Sequence, residues 1–341
     1  MVDLVSAGAA GRRDLTGLRP QAYEHPSDRQ ALDVLQDTSG LETVVRKCNE
    51  WGFERLLRVQ LTGSNIKVTA DSFPEVHRLM LRACRALDLP VEPELYLGGG
   101  GEINAFTAGV DRPIIVLTSG AVDLLTEDEL LFVVAHEIGH IKSGHVLYYQ
   151  LAEFVPVLGE IIGSATFGIG ELVGAGLQVA LLNWKRMSEF TADRAGLLAT
   201  QDVTTSLSAM MKLAGLPQKY YDRVNVDDFI AQARAFEAMD SDKLNWIAKW
   251  LSSAGQSHPW TVMRANQFLT WVDDGGYEQV LAAPDVVPLL LPEGIKRFCG
   301  RCGYGLAGPE SFCPGCGTSV AVLSWARRSP TTRCSRLHRC S

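Results

Sequence analysis

The chain lacks a long apolar run in the segment where one would matter. Residues 154–184 are strongly apolar and rich in glycine, yet Glu160 and Glu171 interrupt them. The longest charge-free stretch there, Leu172 to Trp184, has 13 residues, short of the ~18 or more that cross a bilayer as a helix. A buried hairpin of helices is the first reading of this segment, and peripheral contact with a membrane the second. Basic charge is not in excess either: the net charge is -7, which gives no electrostatic reason to expect nucleic acid as a partner. The opening residues MVDLVSAGAAGRRD carry Asp3 and no apolar core, so no secretory signal is expected. A disulfide framework is missing too. Four of the eight cysteines fall as two CxxC pairs near the C-terminus, which speaks for metal in a reducing compartment. The expected location is therefore the cytoplasm, or else the cytoplasmic face of a membrane. Gly98 to Gly101 are followed by no helix and no Lys-Ser/Thr pair, so they read as a turn and not as a phosphate cradle.

What is present centres on Leu130 to His145, LLFVVAHEIGHIKSGH. Thr126 followed by Glu129 forms a capping box, and Glu127, Asp128 and Glu129 put negative charge in the first turn. A helix is predicted to start there. Residues four apart share a helix face, so the imidazoles of His136 and His140 can reach one ion with Glu137 beside them. Two neutral imidazoles and a third ligand hold Zn²⁺, a water takes the fourth position, and a neighbouring carboxylate accepts its proton. Glu137 is the candidate base, and the expected reaction is hydrolysis of a peptide bond. Gly139 would let another segment approach the metal closely.

Hydrophobic residues at 46% and charged residues at 21% fit a folded protein, and 341 residues suggest one large domain with an appendage. Residues 1–27 read as a loose arm, 28–283 as the catalytic domain, 284–296 as a linker, 297–323 as a four-cysteine module and 324–341 as a disordered basic tail. Helical periodicity begins at Asp28. Ile66 to Ala70 suggest a short strand, Phe73 to Leu87 an amphipathic helix, and Leu95 to Leu97, Ile103 to Thr107 and Ile114 to Leu117 three more strands. The fold class is α+β, mainly helical with a small mixed sheet. Asn104, Ala105 and Phe106 lie where a strand at an open edge could pair with an extended peptide.

Several residues compete for third ligand. His145 lies nine residues past His136, about 180° around the helix, and faces away unless Gly144 ends the helix first. Glu160 and Glu171 have Ser164 and Ala175 four residues on. Glu189, in SEFTADRAG, has Asp193 there, so one carboxylate can bind zinc while the other holds a ligand imidazole in its tautomer. Glu189 is the choice, with Asp193 as orienter. His258, in Ser257-His258-Pro259-Trp260, reads as a helix-start residue; its functional alternative is a donor to the oxyanion, with Arg264 nearby.

Taken together, INAFTAG, the strand and turn leading to SGAVDLL, AHEIGH, SEFTADRAG, and SHPW followed by Arg264 resemble the zinc metallopeptidases of the HtpX and CAAX prenyl protease type, a branch of the gluzincins. The likeness spans roughly Leu41 to Phe268. It implies a zincin fold, zinc on His136, His140 and Glu189, Glu137 as general base, Asp193 behind a ligand, and His258 near the transition state. It also implies endopeptidases, many of them membrane proteins working in protein quality control. This chain departs from that pattern in having no clear transmembrane helix.

Cys299, Cys302, Cys313 and Cys316, with Gly303 and Gly317 after the pairs, suit a closed tetrahedral zinc ribbon, and so small a module needs its ion to fold. The cofactor expectation is thus two zinc ions, one catalytic and one structural. The alternative function is a zinc-stabilised interaction protein whose ribbon recruits partners and whose helical site is structural or inactive.

Overall fold

The computed structural model describes residues 11–38, 41, 44–45, 52–153, 169–223, 225–238 and 259–282, together with two strands at 297–298 and 305–306. Ten helices are labelled here among the described residues: α1 Pro26–Gln36, α2 Phe53–Ser64, α3 Pro74–Ala86, α4 Ser119–Leu124, α5 Glu127–Lys142, α6 Ile169–Thr200, α7 Val203–Leu213, α8 Val226–Ala238, α9 Thr261–Asp273 and α10 Gly276–Ala282. Strands β1 Ile66–Lys67, β2 Glu94–Gly98, β3 Ala105–Ala108 and β4 Ile114–Thr118 form one sheet in the order β1-β2-β4-β3. β2 and β4 run parallel, with Tyr96 opposite Val116. The outer pairs are antiparallel, so the sheet is mixed, and β3 is an edge.

β4 carries Ile114, Ile115, Val116 and Leu117, all buried, as expected of a β-branched strand covered on both faces. α5 starts where its capping box predicts, with the Thr126 hydroxyl accepting from the Glu129 amide and the Glu129 carboxylate accepting from Thr126. Residues 129 to 140 of that helix are all buried. A helix apolar on every side belongs inside a core, and α5 lies between the sheet, α3 and α6.

One sequence expectation is corrected by this architecture. Residues 11–27 are not a loose arm. Leu15, Leu18 and Tyr23 are buried in the main core with Ala83, Ala86 and Leu87 of the α3 region, and the Leu15 amide donates to the Ala86 carbonyl at 3.0 Å. The glycine- and arginine-rich composition concealed three apolar anchors. The segment 154–184, expected as a buried hairpin, is described only from Ile169 onward. From Ile169 it is continuous with the helix that carries Glu189, and Leu177, Leu181 and Trp184 pack against Ala31, Leu32 and Leu35 of α1. Residues 154–168 lie outside the described residues, and no described helix is long and apolar enough to cross a membrane.

Candidate metal centre

His136 and His140 project from one face of α5 as their spacing requires, and α6 brings Glu189 to meet them. The Nε2 atoms of the two imidazoles are 3.2 Å apart. Glu189 Oε2 lies 3.4 Å from His136 Nε2, and its Oε1 lies 3.5 Å from His140 Nε2. A tetrahedral zinc ion with bonds of ~2.0–2.1 Å holds its ligand atoms ~3.3 Å apart. The two imidazoles stand at such a spacing and each is approached at a similar distance by one oxygen of Glu189, so the donor set fits one such ion. Among the described residues this is the cluster whose ligand atoms converge.

Charge makes the same point. Glu137, Glu189 and Asp193 are three buried carboxylates around His136, facing one buried guanidinium, Arg264. With the three ionised, two negative charges are left uncompensated, and a divalent cation would balance them. Burial alone pushes the Glu189 carboxyl up, but Arg264 and the two imidazoles outweigh it and hold the group well below the usual carboxylate range.

α5 and α6 can meet this closely because of two glycines. A Cβ on Gly139 would lie 3.3 Å from the Cα of Ala192, and a Cβ on Gly196 would lie 2.6 Å from the Phe132 ring. Glu137 points to the sheet, where the Thr107 hydroxyl of β3 donates to its Oε2 at 2.6 Å. Burial raises the Glu137 carboxyl above its ordinary value, with His136 and the Thr107 bond opposing the rise. The base candidate and the edge strand are therefore joined directly.

A model of peptidase family M48 matches residues 70–272. The chain belongs to this family. M48 membership makes it a metal-dependent protease by descent. It is similar to the plastoglobule-localized metallopeptidase 48, chloroplastic, of Arabidopsis thaliana, at 30% identity over 76% of this chain and 74% of that protein. Protease HtpX homolog 2 of Methanosarcina mazei is 28% identical over 49% of this chain and 62% of that protein. The crystal structure of S. mikatae Ste24p is similar at 20% identity and a TM-score of 0.34, covering 67% of this chain and 61% of that one. The cytoplasmic placement expected from composition is overturned here. The Arabidopsis relative is by name localised to plastoglobules of the chloroplast, and the lack of a spanning helix among the described residues does not assign a compartment.

Beside the three converging groups, the M48 site holds several residues in supporting positions. Asp193, one turn beyond Glu189 on α6, meets His136 Nδ1 at 3.1 Å, where a carboxylate keeps the other ring nitrogen free. Arg264, which the sequence places near His258 among the substrate contacts, is buried among the acids of α6. It lies behind the histidine, donating from Nε and Nη2 to Asp193 at 2.9 and 2.6 Å and placing Nη1 3.2 Å from Glu189 Oε2. α9 thus clamps both acids of α6 through a bidentate guanidinium. β3 presents Ala105 and Phe106 on the sheet edge, Phe106 exposed, and Asn104 precedes it, accepting at its side-chain oxygen from the Ala105 amide. His258 and the four cysteines of the expected ribbon lie outside the described residues; in that region Arg297 pairs with Leu306 and Phe298 with Gly305, antiparallel.

Two residues escaped the sequence reading, Tyr149 and Thr107, and a third, His145, takes a place other than the one weighed for it. Tyr149, in helical residues 146–153, donates to Glu189 Oε1 in a short bond. Thr107 holds Glu137. His145, set aside because a continuous helix would turn it away, sits with its Nδ1 2.9 Å from His140 Nδ1. The helix ends at Lys142, and Gly144 adopts φ 74°, a left-handed conformation suited to glycine. Gly144 was the one available signal for His145.

Proposed function

We propose that this protein is a zinc-dependent endopeptidase that hydrolyses peptide bonds with Glu137 as general base, in the service of protein quality control. The observation that carries the reading is the convergence of His136, His140 and Glu189 on one point while Glu137 is bonded to the edge strand beside it. When bound, zinc supplies a Lewis acid for the scissile carbonyl and lowers the pKa of water to near neutrality.

The chain's own groups do the rest. β3 is an edge among the described strands, and an edge strand suits an extended polypeptide lying antiparallel to it; Asn104, Ala105 and Phe106 contact that substrate. Glu137, raised by burial, takes the proton of the attacking water and delivers it to the departing amine. Thr107 fixes the carboxylate during both transfers. Asp193 and Arg264 keep His136 and Glu189 in register. His258 is assigned a donor role to the oxyanion on the strength of its motif, and Cys299, Cys302, Cys313 and Cys316 a second, structural zinc.

The test is Glu137→Gln in the full chain, assayed on an unfolded polypeptide. It should retain zinc and lose cleavage. Cleavage at the wild-type rate would remove Glu137 from its role, and loss of zinc would make it a structural residue.

A further inference from the structure

The family match begins at residue 70, but the polar network around the metal site does not stop there. His145 Nε2 meets Asp28 Oδ2 at 3.1 Å, and Asp28 stands in the first turn of α1. Thr191 of α6 donates to the same oxygen at 2.6 Å. Asp28 and His145 are 1% and 3% exposed, so water does not substitute for either. The other carboxylate oxygen of Asp28, Oδ1, is buried with no hydrogen-bond partner among the described residues.

Proton bookkeeping gives this contact a use. An ionised Asp28 only accepts, so the proton it binds is on His145 Nε2. In the neutral imidazole of His145, Nδ1 is then bare and accepts from His140 Nδ1, 2.9 Å away. With its proton on Nδ1, His140 presents a free lone pair at Nε2, toward His136 and Glu189. The opposite arrangement puts a proton on His140 Nε2, where the ion belongs. His136 receives the same service directly from Asp193. Each ligand imidazole is thus backed by a carboxylate, one directly and one through a second histidine.

We propose that Asp28 and His145 are positioning residues for the metal, a relay that fixes the tautomer of His140 and that is completed by a helix outside the family-matched region. The proposal rests on the metallopeptidase reading above. Its test is cobalt affinity of the metal-free full-length chain, measured by competition with a chelator and read from the d–d absorption of a nitrogen–oxygen site, which is distinct from the intense charge-transfer bands of a thiolate site. Asp28→Ala and His145→Phe should each weaken that site about 10–100-fold, and the double variant should be no weaker than His145→Phe, since both changes break one chain. His145→Gln, whose amide oxygen can accept from His140 Nδ1, should recover part of the loss.

Leu32→Ala is the packing control: it loosens α1 against α6 without touching the relay and should leave cobalt affinity within about 3-fold of wild type, a shift smaller than any loss of a tuning partner. Wild-type affinity in Asp28→Ala and His145→Phe would overturn the relay. An equal loss in Leu32→Ala, or no recovery in His145→Gln, would reduce it to scaffolding and overturn it as well. If His140→Ala keeps the nitrogen–oxygen signal, the metal site itself is misassigned, and the relay falls with it.

Discussion

Gly139 of α5 and Ala195 of α6 are in such close contact that a Cβ added to the glycine would lie 2.6 Å from the alanine's own. The glycine sits between His136 and His140 in sequence, so the axis-to-axis approach that brings Glu189 to the two imidazoles is set by a missing methyl group. Gly139→Ala should therefore force the helices apart. The expected cost is about 1–3 kcal/mol of stability, as for other overpacked interiors, together with weaker zinc binding. Thermal denaturation and chelator competition check the two effects, and Ala195→Gly on the Gly139→Ala background should restore part of both.

Thr107→Val tests the tie between the edge strand and the proposed base, Glu137. A hydrogen bond to a charged group is worth about 1.5–3 kcal/mol, so the expected effect is a fall in kcat of about 10- to 100-fold if Glu137 needs the bond in the transition state. Zinc content should not change. A rise in KM at constant kcat would instead place Thr107 in substrate binding.

Lys212 of α7 donates to Glu129 at 2.6 Å in a pair whose side chains are 8% and 5% exposed, and Ser208 donates to the other oxygen at 2.6 Å. Burial pushes the Glu129 carboxyl up; Lys212, Ser208 and Thr126 outweigh it and hold the group below its ordinary value. A carboxyl with a depressed folded pKa adds stability above the ordinary carboxylate range and loses it as pH falls through the folded value. Lys212→Met should cost about 3–5 kcal/mol near neutral pH, because it strands a buried charge. The gap to wild type should narrow in acid, where Glu129 is neutral in both proteins. Urea denaturation at a series of pH values measures it.

Metal counting addresses the appendage. Two zinc ions per chain are expected; changing Cys299, Cys302, Cys313 and Cys316 to Ser should remove one, and changing His136 to Ala the other. A single ion, lost with the cysteines and kept without His136, would favour the interaction-protein alternative.

The parts of the site that the sequence revealed are those written at short range. His136 and His140 share a face because they are four apart, Glu189 and Asp193 for the same reason, and the Thr126 cap fixed where α5 begins. The strand order and the edge position of β3 were half-visible, since alternation predicts strands but not which neighbour each one takes. Thr107, Tyr149, Asp28 and the true place of Arg264 depend on contacts across 30 to more than 150 residues, and no periodicity carries such information. His145 turned on one backbone angle at Gly144. The N-terminal segment misled for a different reason: its apolar anchors are too few and too scattered to outweigh the composition around them.

Those anchors decide how the enzyme can be handled. A fragment trimmed to the borders of the family match would lack Leu15, Leu18 and Tyr23, whose removal opens the main hydrophobic cluster beside α3. It would also lose the Asp28 carboxylate that meets His145 Nε2 at 3.1 Å. Such a shortened protein would be expected to aggregate or to purify without its ion, and an inactive preparation of it would say nothing about the intact enzyme.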